Sequence, residues 1–227
     1  MNISYLMDLL AKVIAVALVI SLHEFAHAFA AVKSGDNTPK IYNRYTLNPV
    51  CHFDLIGFVC MMFVGFGWAK PVPINPDKFK NKRKGIILVS SAGVIANYLF
   101  AFISFPIAII CQKYLPNILL FDELITNIFI FSFSLNLFLF IFNLIPIFPL
   151  DGFLLLFSII PPKGKVFKFL AEQGYKFLLA LIILGIIADI LAPYNGIFAY
   201  FNIFERIMSY AASKISLPII KFWNIFF

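Results

Sequence analysis

Residues 13–31 read VIAVALVISLHEFAHAFAA, and this stretch decides what kind of protein the chain is. Apart from Ser21 and the group His23, Glu24 and His27, it is apolar throughout. A helix needs roughly 20 such residues to cross the hydrocarbon core of a bilayer. It lacks the short apolar core and small-residue cleavage site of a removable leader, so it is expected to remain in the mature protein. On a helix, residues four apart lie one turn apart on the same face, which brings the imidazoles of His23 and His27 together. Two imidazoles so placed can grip one metal ion, and neutral imidazole suits zinc. Glu24 then falls beside the open coordination position, where it can take a proton from water as a general base. The alternative is that these groups pair with one another inside a helix bundle. Ionisable side chains at membrane depth are costly, however, and usually mark function.

The rest of the chain agrees with a membrane setting. Of 227 residues 62% are hydrophobic and 13% charged, where a soluble domain carries about a quarter charged residues. Residues 86–111, 124–145 and 177–192 are further apolar runs expected to cross, and 197–212, with Asn202, Glu205 and Arg206, either spans or lies in the interface. The expected fold is an all-α polytopic membrane protein of about five to six transmembrane helices. Its net charge of +7 does not point to nucleic acid, because the positive residues sit in short loops, where they set orientation in the bilayer. Lys70, Lys78, Lys80, Lys82, Arg83 and Lys84 against Asp77 place the loop 69–84 in the cytoplasm. Two crossings later, Lys163, Lys165, Lys168 and Lys176 against Glu172 return the chain to that side, with the loop around Lys113, Pro116, Asp122 and Glu123 outside. Cys51, Cys60 and Cys111 form no metal-binding or disulfide pattern and read as structural.

Residues 54–68 are apolar but too short to span, contain Gly57, Gly65 and Gly67, and are flanked by basic segments on both sides. They read as a re-entrant element. Such an element persists at membrane depth only where protein or water satisfies its backbone, which makes it a candidate wall of an active site. The first helix then runs outside to inside, and residues 23–27 lie toward the cytoplasm. The whole chain, 1–227, reads as one integral-membrane domain, with a catalytic core at about 13–160 and C-terminal helices at about 173–227.

A catalytic zinc usually has three protein ligands. The third candidate is Asp151, in Asn143-Leu144-Ile145-Pro146-Ile147-Phe148-Pro149-Leu150-Asp151-Gly152, where two prolines and a glycine break the helix over 143–152. Its competing reading is a helix N-cap. The backbone freed by the break could hold an unwound substrate strand.

Together the two motifs resemble the site-2 protease family of intramembrane metalloproteases, whose pattern is a transmembrane HExxH helix followed by N-x-x-P-x-x-P-L-D-G. The resemblance extends through Thr46-Leu47-Asn48-Pro49, His52, Asp54 and Gly57. It continues through Gly67-Trp68-Ala69-Lys70-Pro71-Val72-Pro73-Ile74-Asn75-Pro76 and through Gly93 to Asn97, and so covers roughly residues 15–160. It is nearest to the compact bacterial and archaeal branch without PDZ or CBS domains, which implies an integral protein of the cell (inner) membrane. The resemblance implies one Zn2+ per chain, held by His23, His27 and Asp151, with Glu24 activating water and Asn143 holding the substrate or its developing oxyanion. It implies a β form for the re-entrant element. The substrates it implies are transmembrane or membrane-anchored proteins, cut by zinc-dependent endopeptidase chemistry. Leu55 and Val94 stand where many relatives have proline, and neither touches the metal. His52 and Asn97 are further candidates for substrate binding, each with an alternative: a hydrogen-bonded structural residue or a surface group for His52, and an interhelical amide for Asn97. A metal transporter or channel would also bury His and Asp, but it has no need of a base between two ligands, and no other spanning segment contributes histidine. An inactive relative would not need Glu24 and both histidines intact.

Overall fold

A bilayer offers no water to backbone N–H and C=O groups, so apolar runs at membrane depth close their own hydrogen bonds as helices. The computed structural model describes residues 3–64, 67–114, 121–160 and 162–227; Gly65 of the segment read as re-entrant and Pro116 of the loop expected outside are not among the described residues. The helices are α1 (Ile3–Ser34), α2 (Thr38–Ile41), α3 (Pro49–His52), α4 (Leu55–Val64), α5 (Lys82–Tyr114), α6 (Phe121–Asn143), α7 (Asp151–Ile159), α8 (Gly164–Glu172), α9 (Gly174–Leu191) and α10 (Ile203–Trp223).

The protein is an all-α polytopic membrane protein. Among the described residues four helices, α1, α5, α6 and α9, are long and apolar enough to cross, against the five to six expected. The difference lies in two segments. The ten residues of α4 rise about 15 Å, half a hydrocarbon core. The helix α10 carries Glu205, Arg206, Lys214 and Lys221.

Where the family resemblance implies a β element, Leu55–Val64 is helical. Among the described residues the one sheet-like pairing in this region is an isolated antiparallel bridge between Phe53 and Ala69, beside which Lys70 N–H donates to the His52 carbonyl at 2.8 Å. A helix satisfies its own backbone, which a lone hairpin at membrane depth cannot.

The helices α1, α5 and α6 pack on one another, and α7 packs on α5. Their contact faces are built from small residues, Ala11, Ala15, Ala28 and Ala31 in α1 and Gly85, Gly93, Ala101 and Ala108 in α5. Small residues let membrane helices approach closely. The N-terminal parts of α1 and α6 are tied by Asn127, whose amide donates to Asp8 at 2.7 Å. Phe142, Ile147, Leu178, Ile182 and Met208 join α6, α9 and α10, and Ile219 of α10 reaches Ala101 and Leu137. Leu18, Leu88, Leu99, Ile103 and Ile187 face outward, an apolar surface of the kind that lipid covers.

Candidate metal centre and catalytic cavity

Two helices meet where the polar residues of α1 sit. His23, Glu24 and His27 are buried in α1, and Asp151 is the first residue of α7. His23 Nε2 and His27 Nε2 are 3.1 Å apart, and the Asp151 Oδ2 lies 3.6 Å from the first and 3.3 Å from the second. A tetrahedral zinc with bonds near 2.05 Å requires its donor atoms about 3.3 Å apart. The triangle therefore fits zinc in both donor chemistry and size.

The protonation pattern fits as well. His27 Nδ1 lies 2.8 Å from the Val89 carbonyl and donates to it, which leaves Nε2 with a lone pair facing the triangle. Asp151 Oδ2 is buried without a hydrogen-bond partner in the protein. The N-cap of α7 is Leu150, with no side-chain cap hydrogen bond, so the capping alternative for Asp151 is not taken up.

Three local features hold α7 in place. The chain leaves α6 at Asn143, turns through 144–150 and re-enters helix at Asp151. Gly152 lies so close to the Leu144 and Ile145 carbonyls that a Cβ there would collide with them. Arg83, at the start of α5, donates to the Ser158 and Ile159 carbonyls at 2.9 and 3.0 Å and caps the far end of α7.

A cavity of about 150 Å³ opens at the triangle, lined among others by Ile20, His23, Glu24, Trp68, Asn143 and Leu150. Val72 N–H donates to Glu24 Oε2 at 3.1 Å, which fixes that carboxylate against an extended backbone segment. Asn143 reaches the cavity wall while its amide donates to the Leu139 carbonyl at 3.1 Å. Met61 of α4 lines this cavity and also a larger one, about 400 Å³, walled by α1, α6 and α10.

Two candidates lie elsewhere. His52 is fully buried at the end of α3, donating from Nε2 to the Thr46 carbonyl at 2.8 Å, and does not line the cavity. Burial, helped by the Arg44 charge and opposed by that hydrogen bond, pushes its imidazole below the ordinary value. Asn97 is buried in α5 and does not line the cavity.

Sequence reasoning passed over Asp36. Its carboxylate accepts from Asn75 N–H at 2.7 Å and from Thr38 N–H at 2.9 Å, so it ties the segment carrying Val72 to the end of α1. Burial alone would raise this carboxyl, but the hydrogen bonds and Lys78 hold it below the usual range. The signal was the run Gly35-Asp36-Asn37-Thr38, the composition of an Asx-turn.

Residues 115–185 match the family model described as Peptidase family M50. Over 172 residues the chain is 38% identical to "Putative zinc metalloprotease YwhC" of Bacillus subtilis (strain 168), a match covering 75% of this chain and 78% of that protein. No solved structure matches.

Proposed function

The chain belongs to peptidase family M50, the site-2 protease family, and from that premise we propose that it is a zinc-dependent intramembrane endopeptidase acting on transmembrane or membrane-anchored proteins. The observation that carries this reading is the convergence of three donor side chains from α1 and α7 at the spacing of a zinc ligand set, with Glu24 one residue from the first ligand.

In this proposal His23 Nε2, His27 Nε2 and the Asp151 carboxylate hold one ion per chain. When bound, zinc supplies Lewis-acid polarisation of a carbonyl and makes water acidic enough to attack it near neutral pH. Glu24 takes the proton of the attacking water and delivers it to the leaving nitrogen. Val72 N–H keeps the Glu24 carboxylate turned toward the cavity while it does so. Asn143, in the cavity wall, holds the substrate carbonyl or its developing negative charge. The extended backbone around 68–73 and the break at 144–150 offer main-chain groups to an unwound substrate strand. Met61, which lines both cavities, stands between the larger cavity and the candidate metal centre.

The proposal takes residues 1–227 as a single protease domain with its core at about 13–160. The basic loops at 69–84 and 161–176 support a cytoplasmic position for the site in a bacterial or archaeal cell membrane. The test purifies wild type and Glu24→Ala in detergent, measures bound zinc, and incubates both with single-span substrates. Wild type is expected to hold zinc and cleave, and Glu24→Ala to hold zinc and not cleave. Cleavage that survives in Glu24→Ala would sink the mechanism.

A further inference from the structure

Val89, Gly93 and Asn97 stand at four-residue steps along α5 and so share one face of it. That face lies against both imidazoles of the candidate metal centre. The Val89 carbonyl accepts from His27 Nδ1. Gly93, with no side chain, lets the α5 backbone come up against the rings of His23 and His27. The Gly93 carbonyl and, one turn further, the Asn97 side chain both lie toward the His23 imidazole, and neither completes a hydrogen bond to it.

The two histidines differ in how complete their support is. Histidines that hold a metal donate their second ring N–H to a fixed acceptor, which sets both tautomer and ring orientation. His27 has such an acceptor in Val89. His23 Nδ1 is buried and completes no hydrogen bond, and both polar atoms of the Asn97 side chain are also buried and without a partner. Asn97 is 1% exposed and does not line the cavity, so a substrate strand does not reach it.

We propose that Asn97 is the positioning residue of His23. Its Oδ1 accepts from His23 Nδ1–H and thereby fixes Nε2 as the lone-pair donor toward the ion. The face of α5 then supports both ligands, by a backbone carbonyl for His27 and by a side-chain carbonyl for His23. The assignment rests on the zinc reading of the centre and replaces substrate contact as the role of Asn97.

The test compares wild type, Asn97→Leu and Asn97→Asp in detergent. Chelator competition reads zinc affinity, the visible band of the cobalt(II)-substituted protein reads the ligand field, and cleavage of a single-span substrate separates KM from kcat. Asn97→Leu is expected to weaken zinc by about 10–100-fold and to shift the cobalt band, with KM unchanged. Asn97→Asp keeps an acceptor oxygen and is expected to restore zinc affinity. Undiminished zinc affinity in Asn97→Leu overturns the proposal, as does a raised KM with zinc binding intact. Should Asn97→Leu not fold, Asn97→Asp carries the test: zinc held as in wild type supports the assignment, and zinc lost overturns it. A wild type that binds no zinc overturns instead the zinc reading beneath it.

Discussion

The substitution Gly93→Ala sets two effects of known size against each other. In a helix interior, replacing glycine by alanine is worth about 1 kcal/mol in favour of the helix. At Gly93 the added Cβ would lie 2.6 Å from His23 Cε1 and 2.7 Å from His27 Cε1, and closer still to His27 Nε2. Ordinary carbon contacts begin at about 3.5 Å, so each ring must give way by roughly 1 Å. His27 cannot turn aside without breaking its bond to the Val89 carbonyl. Overpacking of this kind costs about 1–3 kcal/mol, which outweighs the gain in helix propensity. The functional loss is expected to be larger, because a displacement of about 1 Å at a reacting centre costs on the order of 100-fold in rate. Zinc affinity should fall by about 10–100-fold for the same reason. The assays are chelator competition for zinc, thermal unfolding of metal-free protein in detergent, and kcat/KM on a single-span substrate. A variant that melts higher than wild type, binds zinc as tightly and cleaves as fast would refute the collision and with it the placement of α5 against the metal centre.

Three further outcomes follow from the geometry. Glu24→Gln should retain zinc and lower kcat by about 10²–10⁴-fold, the usual contribution of a positioned general base, as read by single-turnover cleavage beside a metal assay. Asp151→Ala should release zinc, as read by chelator competition, because it removes one of three donors; zinc held as tightly as in wild type would refute its place in the ligand set. His52 is held below its ordinary pKa chiefly by burial, so the folded protein favours the neutral ring. Its contribution is present above the unfolded value of about 6.5 and is lost as pH falls through the lower folded value, so stability should decline on acidification below about pH 6.5. His52→Gln should remove that slope in detergent melts, and an identical slope in both proteins would refute the assignment.

What could be read from the sequence follows from which properties are local. The offset between His23 and His27 is a property of one helix, and the two prolines and glycine around Asp151 mark a helix break whatever surrounds it, so both motifs were visible without a structure. The crossings were legible for a similar reason: α1, α5, α6 and α9 are single apolar runs whose length alone matches a bilayer. The form of residues 54–68 was not local. Gly57 and Gly67 look like helix breakers, yet Gly57 lies inside α4. Each is glycine because α4 and the chain returning through Trp68 touch backbone to backbone, where a Cβ on either would overlap the backbone of the other segment. The role of Asn97 was hidden in the same way. An amide in an apolar helix announces that it needs a partner, but not which one, and the partner is set by how α5 packs against α1. Asp36 makes the point from the opposite side, since its turn with Thr38 is local but its bond to Asn75 spans 39 residues. That bond carries Val72 to Glu24, so the setting of the proposed base depends on a carboxylate twelve residues away that is neither a ligand nor in the cavity.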